Sequence, residues 1–153
     1  SFGNRVLFSD FSWEIREGEH WILRGENGKG KTTLLSLICG DNPLSYAADI
    51  SVFGVPRKVG NNLSKVREKI GMVSPEMQAY LGADPLALVK NALLSRPRLL
   101  LLDEPFMNMD AHQRASATEL ITGYLSAHPR ASAIIVCHRT DEIPAIFDKE
   151  ITL

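Results

Sequence analysis

A chain of 153 residues has the length of one globular domain with its own core, and is short for two. Its 17 lysines and arginines nearly cancel 18 aspartates and glutamates, so composition indicates no basic surface for nucleic acid and no acidic tail for a cationic partner. No apolar run approaches the roughly 20 residues that span a bilayer, and the first residues lack a basic-then-apolar leader; a cytoplasmic chain is expected, with any membrane role on another polypeptide.

In chain order, LFSDFSWEI and HWILRG are joined by the turn residues REGE, which predicts an N-terminal antiparallel β-hairpin whose second arm runs into a glycine-rich loop. KTTLLSLIC then reads as a helix, ADISVFG as a strand, LSKVREKI as a short amphipathic helix and GMVS as another short strand. Asp84 before Pro85 is an N-cap with proline at the first helical position, and LALVKNALLS continues that helix. The strand LLLLD follows, then a helix from about Asp110 to Ala127, the strand SAIIVC and a last helix near Asp141 to Phe147. Strands alternating with helices predict an α/β domain with a mainly parallel sheet flanked by helices. Cys39 and Cys137 each lie beside apolar residues and read as buried thiols of a reducing compartment.

GENGKGKTT, Gly25 to Thr33, satisfies the phosphate-loop pattern G-x-x-x-x-G-K-[ST] through Gly25, Gly30, Lys31 and Thr32. Because it follows a predicted strand and opens a predicted helix, the backbone N–H groups of the loop, including Glu26, Asn27, Gly28, Lys29 and Thr33, can converge on phosphate oxygens together with the positive helix end. Lys31 would reach the β- and γ-phosphates and the Thr32 hydroxyl would ligate Mg²⁺. The bland alternative is a glycine-rich turn with a chance lysine.

LLLLDEP supplies the other half of such a site. Four leucines suit a parallel strand buried on both faces, and ligands of open α/β sheets bind where such strands end. There Asp103 is placed to hold Mg²⁺, directly or through water, and Glu104 to orient or deprotonate an attacking water. Without the phosphate loop, the pair would read as the start of a surface loop.

GENGKGKTT, then LLLLDEP, then Asp110 five residues past the proline, then IIVCH ending at His138, resembles an ATP-binding cassette (ABC) ATPase of the P-loop NTPase class over nearly the whole chain. The resemblance implies ATP and Mg²⁺ as ligands, a second ABC ATPase domain as partner, and a membrane permease on another chain where the family serves transport. Asp110 corresponds to the aspartate of the D-loop, which communicates across the nucleotide sandwich. His138 matches the switch histidine at the γ-phosphate; in an unknown fold it would read as a satisfied strand-end histidine. FGNRVLF resembles the start of the adenine-stacking loop, so Phe2 is either a base-stacking ring or a core phenylalanine. Trp13, Trp21 and Phe11 read as packing residues, and His20, His112 and His128 as structural or solvated.

Two departures qualify the resemblance. Pro75 stands where the family places a glutamine that contacts Mg²⁺, leaving Glu76 or Gln78 as substitutes. SPEMQ and GDNPLSY resemble the branch near molybdenum-transport ATPases. Moreover, the helical subdomain with its L-S-G-G-Q signature should precede the helix leading to LLLLDEP, where the sequence reads only AYLGA, Ala79 to Ala83. The whole chain, 1–153, is therefore expected to be a single ABC-type ATP-binding core lacking that subdomain near 79–84. Such a core is expected to be an ATPase impaired without a complete partner; the alternative is a nucleotide-binding regulatory or structural module that never hydrolyses ATP.

Overall fold

The computed structural model describes residues 13–26, 30–39, 51–52, 55–56 and 67–153. Five strands form one parallel sheet in the order β4-β5-β6-β1-β7, with β1 at His20–Arg24, β4 at Ile70–Val73, β5 at Leu99–Asp103, β6 at Ser132–Val136 and β7 at Lys149–Thr152. The two-residue strands β2, Ser51–Val52, and β3, Val55–Pro56, pair antiparallel by themselves. Helices are α1 at Lys31–Cys39, α2 at Pro75–Leu81, α3 at Pro85–Leu94 and α4 at Ala111–Ala127.

The central strands explain the layering. Every residue of β5 and of β6 is buried, as a strand covered on both faces requires. Because side chains alternate, Leu100, Leu102, Ala133 and Ile135 join Val89, Ile121 and Leu125 of α3 and α4 in one core. Leu99, Leu101, Ile134 and Val136 meet Leu34, Leu35 and Ile38 of α1 in the other. The expected parallel sheet flanked by helices is thus present, and its two cores pin the carboxyl ends of β5 and β6 at one edge.

Several elements differ from expectation. The edges of β1 are taken by β6 and β7, both parallel, so HWILRG has no antiparallel hairpin partner among the described residues. Most of the expected first arm, Leu7 to Ser12, lies outside them. Instead of a last helix near Asp141 to Phe147 there is a single 3₁₀ turn, Thr140–Glu142, because Pro144 has no N–H to continue a ladder. β7 then adds an edge strand from KEIT, exposed everywhere but at the half-buried Ile151. Of the helix expected at LSKVREKI, residues 63–66 lie outside the described residues; in the described half only Arg67 is helical, a turn follows, and Ile70 already belongs to β4.

Helix α2 was not expected, although its punctuation is present in SPEMQAYLG. Ser74 accepts from the Met77 N–H at 3.3 Å, Pro75 occupies the first helical position, and Gly82 closes the helix at φ 60°. Three residues then lead to α3, whose N-cap Asp84 accepts from the Ala87 N–H at 3.2 Å. The other Asp84 oxygen accepts from Gln113 Nε2 of α4 at 3.1 Å. Asp84→Ala is expected to lower stability by about 1 kcal/mol in urea unfolding, the usual effect of losing an N-cap; an unchanged midpoint would remove Asp84 from that role.

Candidate functional site: a cleft at the carboxyl ends of the parallel strands

At the end of β1 the chain turns through Gly25 toward α1. Gly30, at φ 91°, adopts a conformation that favours glycine, and its carbonyl accepts from Leu34 N at 2.8 Å, starting the helix. The unsatisfied N–H groups of the first turn of α1, beginning at Lys31, make that end of the helix receptive to anions. An open cleft of about 350 Å³ lies there, lined among the described residues by Leu23 to Glu26, Lys31, Cys137 and His138. Lys31 Nζ reaches back to the Gly25 carbonyl.

α1 is tied to the end of β5 by a hydrogen bond in which the Thr32 hydroxyl donates to Asp103 Oδ2 at 2.9 Å. Asp103 is 3% exposed, and burial pushes its carboxyl above the ordinary range; Glu76 also raises it, whereas the Thr32 bond, Lys31 and His138 lower it. Glu104 stands at φ 48°, in left-handed backbone, with its N–H donating to Val136 O at 2.8 Å. Its Oε1 lies 2.7 Å from His138 Nδ1 and accepts from the His138 N–H at 3.0 Å. Burial raises the Glu104 carboxyl as well, opposed chiefly by His138.

The sign of the Asp103 shift gives a testable outcome. A carboxyl raised above its unfolded value contributes stability that is fully present below the ordinary carboxylate range and is lost as pH rises through the native value. Without nucleotide or metal, Asp103→Asn is therefore expected to raise Tm at pH 7, the gain shrinking toward pH 3. A variant less stable than wild type at pH 7 would contradict burial as the dominant cause.

The structure thus brings Gly25, Glu26, Gly30, Lys31, Thr32, Asp103, Glu104 and His138 to one end of the sheet, with Thr33 in the first turn of α1. Asn27, Gly28, Lys29 and Phe2 lie outside the described residues. Asp110 caps α4 instead of lining the cleft: its Oδ1 accepts from Gln113 N at 2.8 Å while Gln113 Oε1 accepts from Asp110 N at 3.1 Å. Gln78 is buried, and its Oε1 accepts from Asn108 Nδ2 at 3.3 Å.

Two residues on the cleft wall are not marked as site residues by the sequence, which singles out Cys137 only as a buried thiol and Arg24 not at all. Arg24 is held by Glu150 of β7 at 2.6 Å, a contact that depends on an unexpected strand. Cys137 is buried beside His138 with its Sγ 3.4 Å from Arg139 O, and burial pushes its thiol up to about 11. With thiolate scarce, Cys137 is expected to alkylate far more slowly at pH 8 than a free cysteine, and to become reactive on unfolding. Mass spectrometry after iodoacetamide checks this. Equal rates in the folded and unfolded protein would contradict it.

Mg²⁺ binds through one or two carboxylates together with substrate phosphates and water, so the pair of hard oxygens at Thr32 and Asp103 fits it. Among the described residues, no three or more His, Cys, Asp or Glu side chains form a cluster able to hold a metal ion without such help. Of the other histidines, His20 meets Phe147 edge-on at 6.2 Å, His128 stacks on Tyr124 at 4.1 Å, and His112 is exposed in the first turn of α4.

A parallel sheet with a glycine-bounded loop before a helix, facing an acidic strand end, defines the domain as a P-loop NTPase fold. The family model described as "ABC transporter" matches residues 8–86, and the chain belongs to that family. It is 30% identical to an ABC transporter ATP-binding protein of Schizosaccharomyces pombe, a match covering 97% of this chain and 41% of that protein. It is 26% identical to the ABC transporter ATP-binding protein ModF of Escherichia coli, covering 95% of this chain and 41% of ModF. The chain therefore spans about two fifths of the length of these relatives. Its fold is similar to the ATP-binding cassette MJ0796 in a dimeric, post-hydrolysis state with ADP and Pi, at TM-score 0.69 and 18% identity, covering 92% of this chain and 83% of that one. Among the described residues no helix is long and apolar enough to cross a membrane.

Proposed function

We propose that this chain binds ATP with Mg²⁺ in the cleft at the carboxyl ends of β1, β5 and β6, and hydrolyses it to ADP and phosphate as an ABC-type ATPase domain. The observation that carries the reading is the bond from Thr32 to Asp103, which joins the phosphate-loop helix to the buried acid of β5. Lys31 and the first-turn N–H groups of α1 would take the phosphates, with the loop residues Gly25 to Gly30 around them. Thr32 and Asp103 would hold Mg²⁺, which supplies charge neutralisation on the phosphate oxygens. Glu104 would accept the proton of the attacking water, and His138, bonded to Glu104, would orient it and face the γ-phosphate. Phe2 would stack on the base and Asp110 would act at a partner's site.

The short link Gly82–Asp84 between α2 and α3 supports a core that lacks the helical subdomain near 79–84. So does a match extending over 203 residues of the Schizosaccharomyces pombe relative when this chain has only 153. Without a signature to close a neighbouring site, stabilisation of the transition state is incomplete, and turnover should be slow until a complete second ABC domain is supplied. Coupling to a membrane permease on another chain, and a place at the cytoplasmic face, belong to the same reading.

A second reading, a nucleotide-binding regulatory or structural module, is favoured by Pro75 at the glutamine position. One experiment separates them. Single-turnover hydrolysis is measured with Mg-ATP alone, with EDTA, and with a complete ABC domain added. Acceleration by the partner and loss with EDTA are expected. ATP bound but never cleaved in any arm would leave the module reading, and no binding at all would sink both.

A further inference from the structure

We propose that Gln78 is a positioning residue for the loop from Glu104 to Asp110, acting through Asn108, and is not a ligand of the metal or nucleotide. The proposal rests on the hydrolytic reading of the cleft. Register places the end of β4 beside the end of β5, with Val73 opposite Leu102, so α2 starts next to the acidic pair. Glu76, in its first turn, is exposed and near enough to raise the Asp103 carboxyl. Gln78 comes two residues later, roughly 200° around the helix. The two side chains therefore leave α2 on opposite sides, and Gln78 is only 8% exposed.

On that buried side Gln78 Oε1 accepts from Asn108 Nδ2, and among the described residues its Nε2 finds no acceptor. A buried amide with a single bond makes that bond consequential, since its loss strands the whole group. The loop it holds is unusual. Glu104 and Asn108 both have left-handed backbone, at φ 48° and 66°, and such conformations persist in side-chain-bearing residues only where the surroundings over-determine them. Met107 N donates to Glu104 O at 3.2 Å and Met109 N to Phe106 O at 3.2 Å, closing two tight turns. Arg114 Nη1 grips Met109 O at 2.9 Å, and the capping box fixes Asp110. Through Asn108 this wound segment is hydrogen-bonded to α2. Gln78 thus helps fix the backbone from which the Glu104 carboxylate meets His138.

The test compares Gln78→Leu, Asn108→Gly and the double variant in the whole chain. Glycine retains access to positive φ at the exposed position 108, so that variant should fold even if the core change does not. Hydrogen exchange of the amides of Met107 and Met109 is expected to quicken by about tenfold in each single variant and no further in the double. Where the wild type turns over, kcat should fall by a similar factor in each, with KM for Mg-ATP and the Mg²⁺ requirement unchanged. Unchanged exchange in Asn108→Gly, strictly additive effects, or a raised Mg²⁺ requirement confined to Gln78→Leu would each overturn the proposal. A wild type that binds Mg-ATP without turnover would sink the hydrolytic reading instead, and exchange would still decide whether the clamp exists.

Discussion

Lys31→Ala is expected to weaken Mg-ATP binding by on the order of 100-fold, the scale of losing one charged donor from a partly desolvated phosphate site. Lys31 is the cation in the cleft that reaches the phosphate-loop carbonyl of Gly25, and it also lowers both the Asp103 and Glu104 carboxyls. Removing it deletes an attraction to phosphate and leaves two acids facing an anionic ligand. Isothermal calorimetry with Mg-ATP measures the loss, and unfolding curves without nucleotide confirm that the variant folds. Equal affinity in wild type and variant would end the phosphate-loop reading.

Glu104→Gln should leave Mg-ATP affinity nearly intact while lowering single-turnover hydrolysis by on the order of 10²–10⁴, the contribution of a general base. Glutamine preserves the shape and can still accept from the His138 N–H, but it cannot take a proton from water. The raised Glu104 carboxyl gives the pH direction: the base is lost as pH falls through its elevated value, so wild-type turnover should decline at a higher pH than an ordinary carboxylate would impose. Unchanged turnover in the variant would remove Glu104 from the chemistry. Slow turnover with proportionally weakened binding would indicate a damaged cleft.

Much of the fold is legible in the sequence. Asp84 followed by Pro85 marks the start of α3 because capping is chemistry within a few residues, and LLLLD marks a doubly covered strand because its apolar run leaves no polar face. SPEMQAYLG carries equally local signals for α2 in Ser74, Pro75 and Gly82, but its seven residues are too short for an apolar period to show. KEIT was unreadable as a strand for a different reason. An edge strand with exposed Lys149, Glu150 and Thr152 has no apolar pattern, and it exists because Leu23 and its neighbours in β1 offer a free edge.

The site divides in the same way. Sequence alone determined which side chains share an end of an element, since spacing fixes Lys31 and Thr32 on one helix end and Asp103 with Glu104 at one strand end; the phosphate and metal roles proposed for them start from that placement. Tertiary structure decided what these groups do to one another. Only packing of α1 on the sheet sets Thr32 against Asp103, only the neighbouring end of β6 brings His138 to Glu104, and only the rotation of α2 separates Glu76 from Gln78. Hydrogen-bond partners 30 to 71 residues apart leave no trace in local patterns, because burial and direction are properties of the assembled layers.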